Sequence, residues 1–292
     1  MSRPRVLLAT CAAMPDSDKD DVGVLPALAE VGVDAAFAPW DDPSADFAGA
    51  DLVVLRATWD YTLRRKEFLA WCDAVPRLAN RADLVRWNTD KSYLADLASD
   101  GLAVVPTELV PPGAVPDWPD VDVVVKPAVG AGSHGARRFA PDQREEAASH
   151  LADLHTDGGV ALVQPYQPAV DAEGETALVY LGGVYSHSFH KGPMLGNRVD
   201  PSGLFLAERL GPTTPTAEQR VLAEDTLDAV CARFGMRRNE LVYARVDVLR
   251  GADGRQLLLE LELTEPSLGF RQTGPEAPAR FASAVRSALA AR

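Results

Sequence analysis

The sequence predicts an α/β protein that becomes α+β towards its carboxyl end. Three observations point there. The first 56 residues run strand, helix, strand, strand, the rhythm of a parallel α/β layer. The second half carries two hairpins of apolar strands instead. A chain of 292 residues with 47% hydrophobic and 24% charged side chains is an ordinary globular composition, sufficient for one large or two to three small domains.

In order, Arg5 to Thr10 reads as a short buried strand, followed by a loop with Asp16, Asp18, Asp20 and Asp21. A helix from about Val22 to Val31 ends at Gly32, and Val33 to Phe37 and Asp51 to Arg56 are strands. Arg56, Trp59, Asp60 and Tyr61 follow the carboxyl end of that last strand, where open α/β sheets place ligands. Arg56 suits a bidentate grip on a carboxylate. Trp59 and Tyr61 are read equally as packing or as substrate contacts. Phe68, Trp71, Cys72 and Val75 stand at helical spacing and are core. Another helix is expected with Asn88 or Thr89 as N-cap, burying Tyr93, Leu94 and Leu97 and ending at Gly101. Lys91 then falls in its first turn, where the helix dipole disfavours a cation, a hint that it serves an anion.

The proline-rich stretch from Val105 to Pro119 marks a change of unit. Beyond it a β-branched strand ends in Lys126, and a loop with Gly130, Gly132, Ser133 and Gly135 follows. Such a loop lets backbone N–H groups converge on phosphate oxygens, although a flexible hairpin turn would look the same. It is neither a Walker A loop nor a glycine fingerprint opening a helix. A helix spans Pro141 to Leu154, and a strand from Val160 is stopped by Pro165. The loop Asp171 to Glu175 leads into a hairpin, Thr176 to Tyr180 and Val184 to Phe189, with Lys191 after it. Thr216 and Gln219 form a capping box for a helix closed by Gly235. A last helix covers roughly Glu276 to Ala290.

The chemistry concentrates in the hairpin Leu241 to Phe270. Strand alternation places Arg245 with Asp247 on one face and Glu260 with Glu262 on one face of the partner strand. Leu257, Leu259, Leu261 and Leu263 then point into the core. Cross-strand ion pairs on a wet face or a divalent-metal site are the two readings of those charges. Three carboxylates without His or Cys suit Mg2+ or Mn2+ and argue against zinc. Glu265 lies past the strand end, with no role assigned.

The net charge of -13 argues against nucleic acid or an anionic membrane as the main partner. Cys11, Cys72 and Cys231 are too widely spaced for a disulfide framework or a CxxC site, so reduced thiols and a cytoplasmic location are expected. No segment reads as a signal peptide or a membrane span.

The order of these features, a lysine at a helix start, a lysine closing a strand before a glycine loop, a proline-stopped strand with a downstream Glu, a third lysine, then R-x-D and E-x-E, resembles the ATP-grasp superfamily of carboxylate-amine ligases. The resemblance covers about Asn88 to Phe270. TWDYTLRRKEFLAW, VRWNTDKSYL and LELTEPSLGF look most like the branch containing the cyclo-ligase of cycloserine biosynthesis. It implies an ATP-grasp fold with an amino-terminal parallel α/β domain (1–88), a small central lid domain (89–167) and a carboxyl-terminal catalytic domain (168–292).

By the same resemblance Lys91 and Lys126 hold nucleotide phosphates under the loop of Gly132, Ser133 and Gly135. Gln164, Tyr166 and Gln167 meet the adenine, and Glu175 the ribose. Lys191 is a further phosphate-side or adenine-side lysine, with a catalytic role beside Arg245, which stabilises charge on the reacting carbonyl. Asp247, Glu260 and Glu262 match the magnesium ligands, the last being Glu where many relatives have Asn. The implied reaction is ATP- and Mg2+-dependent phosphorylation of a carboxylate or ureido-type carbonyl of a small amino-acid-like substrate, then attack by an amine, within one molecule or between two. Arg56, Trp59, Asp60, Arg198, Ser267 and Arg271 are the candidate substrate contacts. A nucleotide-binding protein without ligase activity is the alternative, and dimerisation is common in the superfamily.

Overall fold

The computed structural model describes residues 2–195, 204, 206 and 209–291. Its first sheet is wholly parallel, in the order β2-β1-β3-β4, with β1 Arg5–Thr10, β2 Asp34–Pro39, β3 Leu52–Leu55 and β4 Leu78–Ala79. The buried runs of β1 and β3 have helices on both faces, as parallel strands require. On one side Leu7, Val53 and Leu55 pack with Phe68 and Cys72 of the second helix (α1 being Val24–Glu30 and α2 Arg65–Ala74).

Two short helices come next, α3 Ala82–Asn88 and α4 Tyr93–Ser99. Asn88 therefore ends a helix where an N-cap was expected, and Lys91 lies in the turn between the two, which Asp90 shapes by accepting the Ser92 N–H at 3.0 Å. A small antiparallel sheet follows in the order β5-β8-β6-β7, with β5 Glu108–Val110, β6 Val123–Pro127, β7 Arg137–Phe139 and β8 Ala161–Pro165. Helix α5 (Arg144–Leu154) covers one face through Ala147 and Leu151.

The third sheet is antiparallel, β11-β10-β9-β12-β13, with β9 Glu175–Leu181, β10 Val184–Lys191, β11 Leu210–Pro212, β12 Tyr243–Arg250 and β13 Gln256–Glu262. Its entry is the short helix α6 (Ala169–Glu173), where a loop from Asp171 was expected. Helix α7 (Ala217–Phe234) opens on the Thr216–Gln219 capping box and packs Leu227 and Val230 against Leu178 and Val246. The last helix, α8 (Glu276–Ala290), joins two units. Its Phe281 and Val285 share one core with Val24 and Leu28 of α1, Val6 and Leu8 of β1, and Val179 and Tyr243 of the large sheet.

The β12–β13 register pairs Arg245 with Glu262 and Asp247 with Glu260, as alternation predicts. Past Asp247 the register shifts, and a bulge lets Leu258 take the core position expected of Leu259. Leu259 turns into the cleft between the two antiparallel sheets instead. Cys11, Cys72 and Cys231 are all free and buried. Among the described residues no helix is long and apolar enough to cross a membrane.

Candidate active site

A cleft of about 450 Å³ opens between the small and the large antiparallel sheets. Lys91, Lys126, Glu175, Lys191 and Glu260 line it, with Gly130, Gly132 and Ser133 of the glycine loop and Gln164, Tyr166 and Gln167 at the end of β8. Sequence positions from 91 to 260 thus converge on one space.

The three carboxylates Asp247, Glu260 and Glu262 offer oxygens within 4.8 Å of one another. Among the described residues they are the only His, Cys, Asp or Glu group so placed. Asp247 is fully buried and heavily bonded: Arg245 Nε donates to its Oδ1 at 2.9 Å, while Arg245 Nη2 and Lys191 Nζ reach its Oδ2 at 2.9 and 2.7 Å. Arg245 also donates to Glu262 and, at 2.9 Å, to the Ser267 carbonyl. It was expected to face a carbonyl apart from the metal ligands; in this conformation it ties two of them together. The ion-pair reading and the metal reading of the hairpin thus describe the same residues. Glu260 and Glu262 have side chains 23% and 25% exposed, and of the three carboxylates only Glu260 lines the cleft.

Electrostatics separate them. Burial would raise the Glu260 carboxyl, but the ammonium groups of Lys91, Lys126 and Lys191 outweigh it and hold it at about 2. Burial likewise works against Asp247, and Arg245 with Lys191 overcomes it. For Glu262 burial wins over Arg245, helped by repulsion from Glu260 and Asp247, and the group is pushed up to about 7. An acid trio with no nearby imidazole or thiolate is the donor set of a hard divalent cation, so these residues fit Mg2+ or Mn2+.

The lysines differ in their commitments. Lys91 pairs with Glu260 at 3.0 Å and also donates to the Gly130 carbonyl. Lys191 bridges Asp247 and Glu175, the latter at 3.1 Å. The Lys126 ammonium has no ion pair or hydrogen bond among the described residues, and desolvation lowers it to about 8 against the pull of Glu260. A half-buried ammonium without a partner, facing a cavity, is suited to an anion brought from outside.

Other predicted contacts sort themselves. The Gln164 amide donates to Thr107 Oγ1 at 2.8 Å, and its oxygen has no donor among the described residues. Tyr166 donates to Asp171 at 2.6 Å beneath the Arg138 guanidinium, 3.6 Å from the ring centroid. The Gln167 side chain is occupied with Pro165 and Ala252, leaving only its backbone for a ligand. Gly132 and Ser133 both have positive φ, 56° and 59°. Gly135 does not line the cleft; it turns the chain at φ 77°, backed by Pro127 and Leu154, and so serves the loop's path.

A second cavity of about 70 Å³ adjoins the first across Lys91, Gly130, Gly132 and Glu260. Trp59 and Ser267 line it. Arg56 is a correction: it is 3% exposed, holds Asp21 at 2.7 and 3.0 Å, donates to the Pro266 carbonyl and lines neither of these two cavities. Asp60 is another, since it accepts from Trp40 Nε1 at 2.9 Å and lies beside Arg64. Arg271 is exposed, lines neither cavity and donates its backbone N–H to Asp20 at 3.0 Å. Arg198 lies outside the described residues.

Sequence reasoning missed Asn88 and Glu265. The Asn88 amide donates to the Leu261 carbonyl at 2.8 Å and accepts the Leu263 N–H at 2.7 Å, fixing β13 beside both cavities. Its contacts are 173 and 175 residues away, so no local pattern announces them.

Solved structures with this fold are ATP-grasp ligases. D-alanine–D-alanine ligase from Bacillus anthracis superposes with a TM-score of 0.64 at 12% identity, over 99% of this chain and 98% of that one. Nearer is the crystal structure of D-cycloserine synthetase DcsG, at TM-score 0.88 and 36% identity over 98% of this chain and 99% of that one. Residues 6–80 match the family described as D-cycloserine synthetase DcsG, N-terminal domain. The cycloserine biosynthesis protein DcsG of Streptomyces lavendulae is 39% identical over 300 aligned residues, 97% of this chain and 98% of that protein. The chain belongs to the DcsG family of ATP-grasp ligases.

Proposed function

We propose that this protein is an ADP-forming, Mg2+-dependent carbon–nitrogen ligase that closes a ring in a small amino-acid-like substrate, as the names of its DcsG relatives suggest. The observation that carries the reading is the convergence of Lys91, Lys126, Lys191 and Glu260 on one cleft, with Asp247 and Glu262 grouped around Glu260 behind it.

ATP would lie in the larger cavity, its base against Gln164 and the Gln167 backbone and its phosphates between Lys126, Lys91 and the glycine loop. Mg2+ held by Glu260, Glu262 and Asp247 would neutralise charge on the β- and γ-phosphates. Lys91 and Lys126 fix the γ-phosphoryl for in-line attack by a substrate oxygen; the bond to the β-phosphate oxygen breaks and ADP leaves. The carbonyl carbon, now carrying a phosphate leaving group, is attacked by the substrate's nitrogen. Charge on its oxygen is stabilised by Arg245, phosphate departs, and the nitrogen loses a proton.

The test is ADP release from purified protein with ATP, Mg2+ and a panel of small and ureido-type amino acids. Release with one amino acid at a time is expected. A strict need for two would replace ring closure with intermolecular ligation. Glu260→Gln should lower the rate by about a hundredfold or more, the scale for losing a charge-stabilising group. An undiminished rate would refute the metal assignment.

A further inference from the structure

The smaller cavity holds a group that the phosphate chemistry leaves unused. Its volume, about 70 Å³ against about 450 Å³ for the neighbouring cleft, suits the smaller reactant. Six charged side chains line it: Lys91, Arg245, Asp18, Glu260, Glu262 and Glu265. Lys91 is committed to Glu260, and Arg245 to Asp247 and Glu262. Neither Glu265 nor Asp18 has an ion pair among the described residues, and Glu265 is only 6% exposed. A carboxylate so buried without a cation is costly. Burial, and then Glu262, push Glu265 up to about 8, against the pull of the Lys91 ammonium and the hydrogen bond with Tyr61.

Glu265 is also held in place with care. Trp59 Nε1 donates to its backbone carbonyl at 3.0 Å, Tyr243 Oη to the Thr264 carbonyl at 2.7 Å, and Arg56 to the Pro266 carbonyl at 3.2 Å. Three consecutive carbonyls are thus anchored by the stretch after β3 and by β12 while the side chain lines the cavity with Trp59 and Tyr61. Such fixing of one buried carboxyl exceeds what a turn requires.

We infer that Glu265 is the ammonium acceptor of the substrate site. The small substrate enters with its α-ammonium on the Glu265 carboxylate, between Trp59 and Tyr61, and its reacting carbonyl towards Arg245. This rests on the ligase reading and assigns the residue that recognises the substrate's amine. A ligand lacking the amine leaves the buried carboxyl unpaired and should bind about tenfold to a hundredfold more weakly.

Calorimetric titration of the full chain, holding Mg2+ and a non-hydrolysable ATP analogue, tests the assignment. The probes are cycloserine against isoxazolidin-3-one, its deamino counterpart, and serine against glycerate. Wild type should prefer the amine in each pair that it binds; Glu265→Gln should erase the preference, and Glu265→Asp should keep part of it. Affinity for the ATP analogue should stay within about twofold in all three proteins, a readout that general unfolding would move. An equal amine preference in Glu265→Gln, no preference in wild type, or no binding of any amine overturns the inference. Should Glu265→Gln not fold, a preference undiminished in Glu265→Asp overturns it and a reduced one supports it. If wild type fails to bind the ATP analogue itself, the ligase reading falls, a result distinct from those.

Discussion

At the scale of single residues the site is a set of ammonium and carboxylate groups that differ mainly in whether they have partners. Lys126 is the lysine left over, and its lowered value, about 8, has a measurable consequence. Below pH 8 the free protein carries the charge that a polyphosphate needs; above it the proton is lost and binding must recover it. Dissociation constants for a non-hydrolysable ATP analogue should therefore rise about tenfold between pH 7 and pH 9, one protonation-linked site. Lys126→Arg should flatten that rise, because a guanidinium stays charged throughout. Stability of the free protein has the opposite sign. A lysine whose folded value is depressed opposes folding while the unfolded chain binds more protons, so its contribution improves as pH climbs from about 8 towards the ordinary lysine range. A flat affinity profile in wild type would remove Lys126 from the phosphate site.

At the scale of elements, the segment after β13 links the metal-type carboxylates to the substrate cavity. It carries Glu265, the Ser267 carbonyl that receives Arg245, and the Leu268 carbonyl that contacts His187 Nε2 at 2.6 Å. It ends at Gly269, with φ 66°, where a Cβ would come within 2.2 Å of the Phe189 ring. Gly269→Ala should cost about 1–3 kcal/mol in a denaturant titration, combining positive-φ strain with overpacking. A loss below about 0.5 kcal/mol, the level of an ordinary surface change, would show that the loop re-forms freely. Much of this architecture was legible. Alternation placed Arg245, Asp247, Glu260 and Glu262 together because strand period is a local property. The bulge that exchanges Leu258 for Leu259 was not, since a bulge depends on the partner strand. Asn88 looked like a cap by its neighbours but works at long range, and Glu265 gave no signal because its surroundings, Trp59, Tyr61 and Lys91, come from distant parts of the chain. Arg56 misled for a related reason: a strand-end arginine looks the same whether it awaits a substrate or a buried aspartate.

At the scale of the molecule, the parallel sheet must be fastened to the large antiparallel sheet if the substrate cavity between them is to keep its shape. The shared core of α1, α8 and the two sheets supplies area, which is non-directional. Arg56 supplies direction. From the end of β3 it pairs with Asp21, both side chains at most 3% exposed, and reaches across to the Pro266 carbonyl. Its guanidinium carbon lies 5.9 and 5.6 Å from the ring centroids of Tyr243 and Phe281, so it touches the antiparallel sheet and α8 as well. Removing one member of such a pair leaves a charge buried alone, and Arg56→Met should destabilise the protein by about 3–5 kcal/mol. Replacing both partners, with Arg56→Met and Asp21→Leu together, should recover a large part of that loss, since an apolar pair of similar volume has no charge to desolvate. Equilibrium unfolding of the two single variants and the double variant completes the cycle. A direct substrate grip by Arg56 predicts the reverse pattern: weakened substrate binding with stability unchanged, and no rescue from the second substitution.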